Sequence, residues 1–318
     1  MKSHIKVRLL GGIGNQLFGV FFGMAVNLFL KTDFYADDEL IKLGSNQKRK
    51  LEIDKLKFEP LNPTFIKCEQ AKSNLVYKIK FFRKISWYLL SKSKSVTKEE
   101  TLNKENFYFK IGQTFVGYFQ DWFYADLVHE LNPNLKLQMI NPSKDYLEAV
   151  SDLLMHRPIC IHVRLGDYLD FPELYPKLPE HYYLDSIIHL SSGRKEQVWV
   201  FTEESSKLEF HYPNLFSLSD RIIDQYDILN DLESFLVLSQ SDKLVTSNST
   251  YSLWSAWFAE KNGAKVVVPL EMGIKGAGLG LTSSRWDRYD LNRKVIIQKT
   301  IEKETYNLKK SQFESKFR

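Results

Sequence analysis

The segment Ile159-Cys-Ile-His-Val-Arg-Leu-Gly-Asp-Tyr168 starts as a continuous apolar run and ends in charged and turn-forming residues. The apolar run over 159–163 predicts a buried strand. Arg164 and Asp167 follow where that strand would leave its sheet, which in open α/β sheets is the edge that binds ligands. A guanidinium held there can grip two oxygens of a phosphate or carboxylate. The segment therefore predicts an anion-binding sheet edge, with a plain surface salt bridge of Arg164 as the alternative.

The chain after residue 142 alternates predicted strands with predicted helices. Further strands are predicted at 197–201, 243–246 and 265–268, and each is followed by polar or loop-forming residues. This alternation favours a doubly wound parallel sheet, whose carboxyl-end loops together make a nucleotide-sized site. The Ser-Asn-Ser-Thr series at 247–250 predicts a helix N-cap, and its amides and hydroxyls can also bind phosphate.

The first residues form a second candidate anion site. A strand is predicted at 5–10, followed by Gly-Gly-Ile-Gly-Asn-Gln at 11–16 and a long apolar helix. A glycine turn that leads into a helix can cradle an anion. The same residues partly match the dinucleotide fingerprint, since Gly12 and Gly14 fit and Asp33 has the spacing of a ribose-binding acid, but the third glycine is a leucine. A turn needed only for tight packing is a third interpretation.

Composition excludes several classes of protein. The 318 residues are enough for two domains, and 43% hydrophobic and 14% aromatic residues can build a large core. A net charge of +5 does not indicate a nucleic-acid partner but is compatible with an anionic ligand. Cys68 and Cys160 are far apart, and we expect reduced thiols and no metal site, since metal-ligand spacings and H-E-x-x-H are missing. P-loop and G-x-S-x-G motifs are also missing, which disfavours a P-loop NTPase and an α/β-hydrolase.

Three further stretches bear on membranes and sugars. The apolar stretch 17–30 is too short to span a bilayer and predicts a buried helix, and no signal peptide is expected. The segment from Lys78 to Lys94 is basic and aromatic, so it could lie on an anionic membrane or pack as an ordinary surface helix. The aromatic stretch 115–122 suits either a sugar or internal packing.

Short motifs occur in one order along the chain: Gly-Gly-Ile-Gly-Asn-Gln-Leu-Phe at 11–18, Gly-Tyr-Phe-Gln at 117–120, His-Val-Arg-Leu-Gly-Asp-Tyr at 162–168, Val-Phe-Thr-Glu-Glu at 200–204 and Asn-Ser-Thr-Tyr-Ser-Leu-Trp at 248–254. In this set and order the chain resembles the α-1,2-fucosyltransferases, the inverting, GDP-fucose-dependent enzymes of glycosyltransferase family 11. It departs from them at 202–204, where Thr-Glu-Glu replaces the usual serine and two aspartates, and its glycine-rich stretch 273–280 matches no pattern of that family.

The resemblance implies a GT-B-like α/β fold, with two Rossmann-type domains that face a central cleft. The expected domains are an acceptor-side domain at 1–142, a doubly wound nucleotide-sugar domain at 143–298 and a charged tail at 299–318. The implied donor is GDP-fucose, the implied acceptor is a galactose-terminated glycan, and neither a metal nor another cofactor is required. We expect no nucleic-acid partner.

The resemblance also assigns residues. Arg164 would stabilise the charge that grows on the β-phosphate, and Asn15 would approach the same diphosphate. Asp167 would accept the proton of the galactose 2-hydroxyl, with Asp121 as a weaker candidate or no essential base at all. The catalytic set is Arg164, Asp167 and His162, and the donor-binding set is Gly12, Gly14, Asn15, Gln16, Arg164, Thr202, Glu203, Ser247, Asn248, Ser249 and Thr250.

Two alternatives stay open on the sequence. Gly12, Gly14 and Asp33 would suit an NAD-dependent dehydrogenase or epimerase, and the aromatic residues Tyr118 and Trp122 would suit a non-enzymatic glycan-binding protein. The expected location is the cytoplasm of a bacterial-type cell, with peripheral contact at the inner face of its membrane, as in O-antigen or other polysaccharide biosynthesis.

Overall fold

The computed structural model describes residues 4–43, 50–67, 96–170, 172–173, 175–191, 193–224, 228–272, 281–300 and 303–317, apart from the side chains of residues 42, 43 and 167. Cys68, the basic segment from Lys78 to Lys94 and the glycine-rich stretch 273–280 therefore lie outside the described residues. The chain divides into two compact units. Unit 1 comprises Met1–Ile140 with Lys303–Arg318, and unit 2 comprises Asn141–Glu302.

Unit 1 contains a parallel sheet with helices packed on it. Its strands are β1 (His4–Arg8), β2 (Asp33–Asp37), β3 (Leu56–Glu59), β4 (Thr64–Ile66), β5 (Val96–Lys98), β6 (Thr114–Val116) and β7 (Lys136–Met139), and its first helices are α1 (Ile13–Leu30), α2 (Glu39–Leu43) and α3 (Trp122–Leu131). The sheet order is β4-β2-β1-β6-β5, with every pairing parallel, and β3 pairs with β7 in an antiparallel ribbon. The order reverses direction beside β1, so a topological switch point lies between β1 and β6.

Helix α1 is apolar on almost every side because it forms the core of unit 1. By length and composition alone it could cross a membrane, but 72% of the apolar window is buried inside the protein. The expected buried helix is therefore present. Its glycines admit close neighbours, since a Cβ on Gly23 would lie 2.2 Å from the ring of Phe34.

Unit 2 is built on one larger sheet. Its strands are β8 (Ile159–Val163), β9 (Val198–Thr202), β10 (Arg221–Asp224), β11 (Lys243–Val245), β12 (Lys265–Pro269), β13 (Asp287–Asp290) and β14 (Val295–Ile297). Its helices are α4 (Lys144–His156), α5 (Gly166–Asp170), α6 (Glu180–Ser191), α7 (Ser205–His211), α8 (Pro213–Leu218), α9 (Asp231–Leu238) and α10 (Thr250–Lys261).

The unit 2 sheet has the order β10-β9-β8-β11-β12-β13-β14, and every pairing is parallel except that of β13 with β14. From β8 the chain adds two strands on one side and then returns to place β11 on the other side. Its switch point therefore lies between β8 and β11, where ligands bind in doubly wound sheets. The predicted α/β class with two Rossmann-type units is confirmed.

The last helix, α11 (Lys303–Glu314), belongs to unit 1 and is not a separate charged tail. Phe313 is buried and packs edge-on against Phe29 and Phe109, while Phe317 stacks on the same two rings. Although the segment is mostly charged, the buried Phe313 and the half-buried Phe317 pack it onto unit 1.

Candidate functional site

His162 links the two strands at the unit 2 switch point. It is fully buried on β8, its Nδ1 lies 3.0 Å from the Ser247 hydroxyl, and its ring lies beside that of Tyr251. Burial, assisted by the positive charge of Arg164, lowers the pKa of His162 to about 3. The imidazole is therefore neutral at neutral pH and buried away from solvent. This geometry suits a residue that positions the strand ends, and the catalytic role expected from the sequence stays a prediction.

Arg164 is held by Glu203, the residue directly after the neighbouring strand β9. The register pairs Val163 with Thr202, so the next residues of β8 and β9 emerge side by side at the carboxyl edge. The Arg164 Nε lies 3.1 Å from Glu203 Oε1, and the same oxygen accepts a hydrogen bond from the Leu165 amide. Arg164 keeps 19% of its side-chain surface exposed, whereas Glu203 is buried. The ion pair thus fixes the plane of a guanidinium that still reaches the surface.

Gly166 makes room for that carboxylate. A Cβ at this position would lie 2.8 Å from Glu203 Oε1, closer than real Cβ contacts. The sequence predicted Glu203 as a donor-binding residue, but the structure places its carboxylate under Arg164. We therefore assign Glu203 a positioning role, which sequence analysis missed because strand register is not visible in a single strand.

The serines after β11 form a connected hydroxyl chain. Ser249 is the N-cap of α10 and accepts a hydrogen bond from the Ser252 amide at 3.2 Å, as predicted for an N-cap. Its hydroxyl also lies 3.0 Å from that of Ser247, which in turn contacts His162. Ser249 and Thr250 are half-buried at the start of a helix, where backbone amides favour anions.

Asn248 fastens the loop after α5 to this edge. Its side-chain amide donates to the Pro176 carbonyl at 3.0 Å, and its own carbonyl accepts from the Tyr168 hydroxyl at 2.8 Å. Tyr168 also stacks on Tyr175 of the same loop. Asn248 was predicted to bind the donor, and in the structure its side-chain amide and its backbone carbonyl both form hydrogen bonds within unit 2. In the sequence, Tyr168 at the end of the motif 162–168 was the one residue that could have indicated its hydrogen bond with Asn248.

Two other predicted residues of unit 2 need separate mention. Thr202 is fully buried, and its hydroxyl accepts a hydrogen bond from the Glu204 amide at 3.3 Å. It therefore shapes the turn between β9 and α7. The side chain of Asp167 lies outside what the structure describes, so its role stays a prediction.

The glycine loop of unit 1 forms a second edge with its own cross-strand contact. Gly11 has a φ of 68°, a left-handed conformation that favours glycine, and Gly12 is the N-cap of α1, which has no side-chain cap. The Asn15 carbonyl oxygen accepts a hydrogen bond from the Gln120 amide at 2.8 Å, across the switch point between β1 and β6. Gly14 is buried in the first turn of α1.

Gln16 and Asp33 have positions that the sequence did not indicate. Gln16 is fully buried, and its side-chain amide donates to the carbonyls of Gly11 and Lys50 and accepts from the Glu52 amide. It therefore braces the loop, although it was predicted to bind the donor. Asp33 is exposed at the amino end of β2, the opposite end from the glycine loop. A ribose-binding role for Asp33 is inconsistent with this position.

The structure thus groups the predicted residues into two edges. The unit 2 edge contains His162, Arg164, Thr202, Glu203, Ser247, Asn248, Ser249 and Thr250, and the unit 1 edge contains Gly12, Gly14, Asn15 and Gln16. Among the described residues, no group of three or more His, Cys, Asp or Glu side chains could hold a metal ion.

A family model described as "Glycosyl transferase family 11" matches residues 95–272, more than half of the chain. No curated protein matches the chain at a significant level.

Among solved structures, the fold is similar to fucosyltransferase NodZ from Bradyrhizobium, with 12% identity, a TM-score of 0.49 and coverage of 94% of this chain and all of that one. It is also similar to FUT1 of Arabidopsis thaliana in complex with GDP, with 14% identity, a TM-score of 0.42 and coverage of 84% of this chain and 70% of that one. A third similar structure is ADP-heptose LPS heptosyltransferase II of E. coli, with 11% identity, a TM-score of 0.40 and coverage of 84% of each chain. At this level of similarity the matches say nothing about substrates.

Proposed function

Because the chain belongs to glycosyl transferase family 11, we propose that it transfers fucose from GDP-fucose to the 2-hydroxyl of a terminal galactose, with inversion to an α-1,2 linkage. The observation that carries the proposal is the Arg164–Glu203 pair at the carboxyl end of β8, beside the unit 2 switch point. An oriented cation at that edge suits a nucleoside diphosphate.

Arg164 is proposed to act on the leaving group. As the fucosyl bond breaks, negative charge grows on the β-phosphate, and a cation already fixed in place stabilises that charge without reorganising. The Glu203 carboxylate supplies the fixation, because it holds the guanidinium Nε from a buried position. Such a donor is worth about a hundredfold to a thousandfold in kcat in comparable sites.

The helix that starts at Thr250 is proposed to bind the same diphosphate. Backbone amides at the start of α10 point towards the carboxyl edge, and helix N-termini favour negative charge. The neutral His162 fixes the Ser247 hydroxyl and so the approach of the β11 loop. Neither a metal nor another cofactor enters the proposal.

The base that accepts the proton of the acceptor hydroxyl is proposed to be Asp167. The alternative, Asp121, caps α3 through the Phe123 amide at 3.0 Å and forms an ion pair with Lys309 at 2.7 Å. Both contacts belong to the structure of unit 1 and favour an architectural role for Asp121. Asp167 lies in the same motif as Arg164, next to the proposed diphosphate site.

Incubation with GDP-fucose and a panel of β-galactosides tests the function. We expect release of GDP and an α-1,2-linked fucosyl product, identified by linkage analysis, with no turnover of GDP-mannose. If GDP fails to raise the melting temperature and no galactoside is fucosylated, the proposal is wrong. A melting temperature that rises with NAD but not with GDP would favour the dehydrogenase alternative.

A further inference from the structure

The turn after β6 adopts a backbone conformation that its residue type does not favour. Phe119 has a φ of 49°, in the left-handed region that a bulky residue rarely adopts. Such strained residues persist only where the surrounding structure over-determines them, and they cluster at ligand-binding positions. The turn lies at the carboxyl edge of the unit 1 sheet, because β6 is parallel to β1.

Two contacts hold this turn in place. The Phe119 ring stacks on Phe22 of α1, with centroids 3.9 Å apart and planes within 3° of parallel. The Glu99 carboxylate accepts a hydrogen bond from the Tyr118 amide at 2.9 Å. Gly117 permits that approach, since a Cβ there would lie 2.5 Å from the Glu99 Cβ. The turn is therefore built to a definite shape and not left to solvent.

The result of that shape is an exposed aromatic ring. While Phe119 points into the core, Tyr118 keeps 47% of its surface exposed. Beside it, Gln120 donates to Asn15 at 2.8 Å, and both amides are half-buried. This bond uses Gln120 Nε2 and Asn15 Oδ1, so the other amide atoms, Gln120 Oε1 and Asn15 Nδ2, present an acceptor and a donor.

We propose that Tyr118 is the stacking platform for the acceptor sugar, with the Asn15 and Gln120 amides as hydrogen-bond partners of its hydroxyls. A pyranose has an apolar C–H face that packs on an aromatic ring and hydroxyls that match paired amide groups. The inference rests on the proposed function, which requires a galactose-terminated acceptor. Guanine could also stack on a tyrosine, but Arg164, the cation proposed to hold the charged donor, belongs to unit 2. The polar side chains at this turn are the Asn15 and Gln120 amides and the Glu99 carboxylate, which suit sugar hydroxyls.

Steady-state kinetics of Tyr118→Ala and Tyr118→Phe test the proposal. We expect Tyr118→Ala to raise the acceptor KM about tenfold or more, with the GDP-fucose KM and the slow hydrolysis of GDP-fucose without acceptor unchanged. Tyr118→Phe keeps the ring and should stay within about threefold of wild type. Phe210→Ala, which removes an 84% exposed ring on α7 of unit 2, is the matched control and should change neither KM.

An acceptor KM unchanged in Tyr118→Ala would overturn the proposal, and so would a parallel rise of the GDP-fucose KM, which would make the ring a platform for the base. If wild type neither transfers nor hydrolyses fucose, the proposed function fails separately. In that case, saturation-transfer NMR with the β-galactoside panel tests the role of Tyr118 by comparing galactoside binding to wild type and to Tyr118→Ala. Loss of binding in Tyr118→Ala supports the platform, whereas equal binding in both proteins, or no binding to wild type, contradicts it.

Discussion

The Arg164 Nε lies 3.1 Å from Glu203 Oε1, and this ion pair joins the ends of two adjacent parallel strands. The carboxylate is buried and the guanidinium is partly exposed, so the pair orients a cation towards the ligand edge. Leu165 and Gly166 complete the arrangement, one by a backbone hydrogen bond and the other by leaving space.

Replacing Arg164 by alanine should lower kcat for fucosyl transfer by about a hundredfold to a thousandfold, because a fixed stabiliser of leaving-group charge is lost. Initial rates at saturating GDP-fucose measure the effect. Arg221→Ala is the matched control, since Arg221 pairs with Asp152 at the start of β10, away from the carboxyl edge. Turnover of Arg164→Ala at the wild-type rate would remove Arg164 from the mechanism.

Replacing Glu203 by glutamine should lower kcat roughly tenfold or more, because the guanidinium loses the charge that orients it. The acceptor KM should change little, since Glu203 is buried beneath Arg164. The control is Glu204→Gln, which alters only a partly exposed pair with Lys207. In the Arg164→Ala background the Glu203 substitution should add almost nothing to the loss, and full additivity would show that the two residues act independently.

Stability should depend on pH through His162. Its folded pKa of about 3 lies below the ordinary value of 6.5, so the unfolded chain binds the proton more readily between these pH values. This residue therefore stabilises the fold fully above pH 6.5, and its contribution falls by at most about 1.4 kcal/mol per pH unit towards pH 3.

Chemical denaturation of wild type and His162→Gln between pH 4 and 8 measures this dependence. The glutamine can still bond to Ser247 but does not titrate. As the pH falls, the unfolding free energy of wild type should therefore decrease more than that of His162→Gln. Parallel curves for the two proteins would show that His162 is not held neutral by burial.

Replacing Phe313 by alanine should destabilise unit 1 by about 3–5 kcal/mol, because a buried ring packed on Phe29 and Phe109 is lost. Leu308→Ala on the same helix is the control, since Leu308 is 61% exposed and should change stability by less than about 0.5 kcal/mol. Hydrogen exchange read out by peptide should show faster exchange in unit 1 for Phe313→Ala. An unchanged protection pattern would mean that α11 contributes nothing to that unit.

Much of the architecture could be predicted from local patterns. The apolar run at 159–163, the glycine turn before α1 and the Ser249 cap all occur where expected, because burial, backbone freedom and capping are properties of short segments. The donor-binding roles of Glu203, Asn248 and Gln16 stay predictions. Each was identified by its place in a short motif, and the structure shows each side chain bonded within its own unit, a contact that no motif indicates.

The sequence alone indicated the first strand, the strands at 159–163, 197–201, 243–246 and 265–268, the motifs and the family, since these depend on residues close together in the chain. Which strand ends meet depends on the tertiary fold. Glu203 reaches Arg164 because β9 pairs with β8 in one register, and Gln120 reaches Asn15, 105 residues away, because β6 lies beside β1. Strand pairing is a long-range choice among many apolar segments, and for that reason no local pattern could reveal what holds Arg164 or what exposes Tyr118.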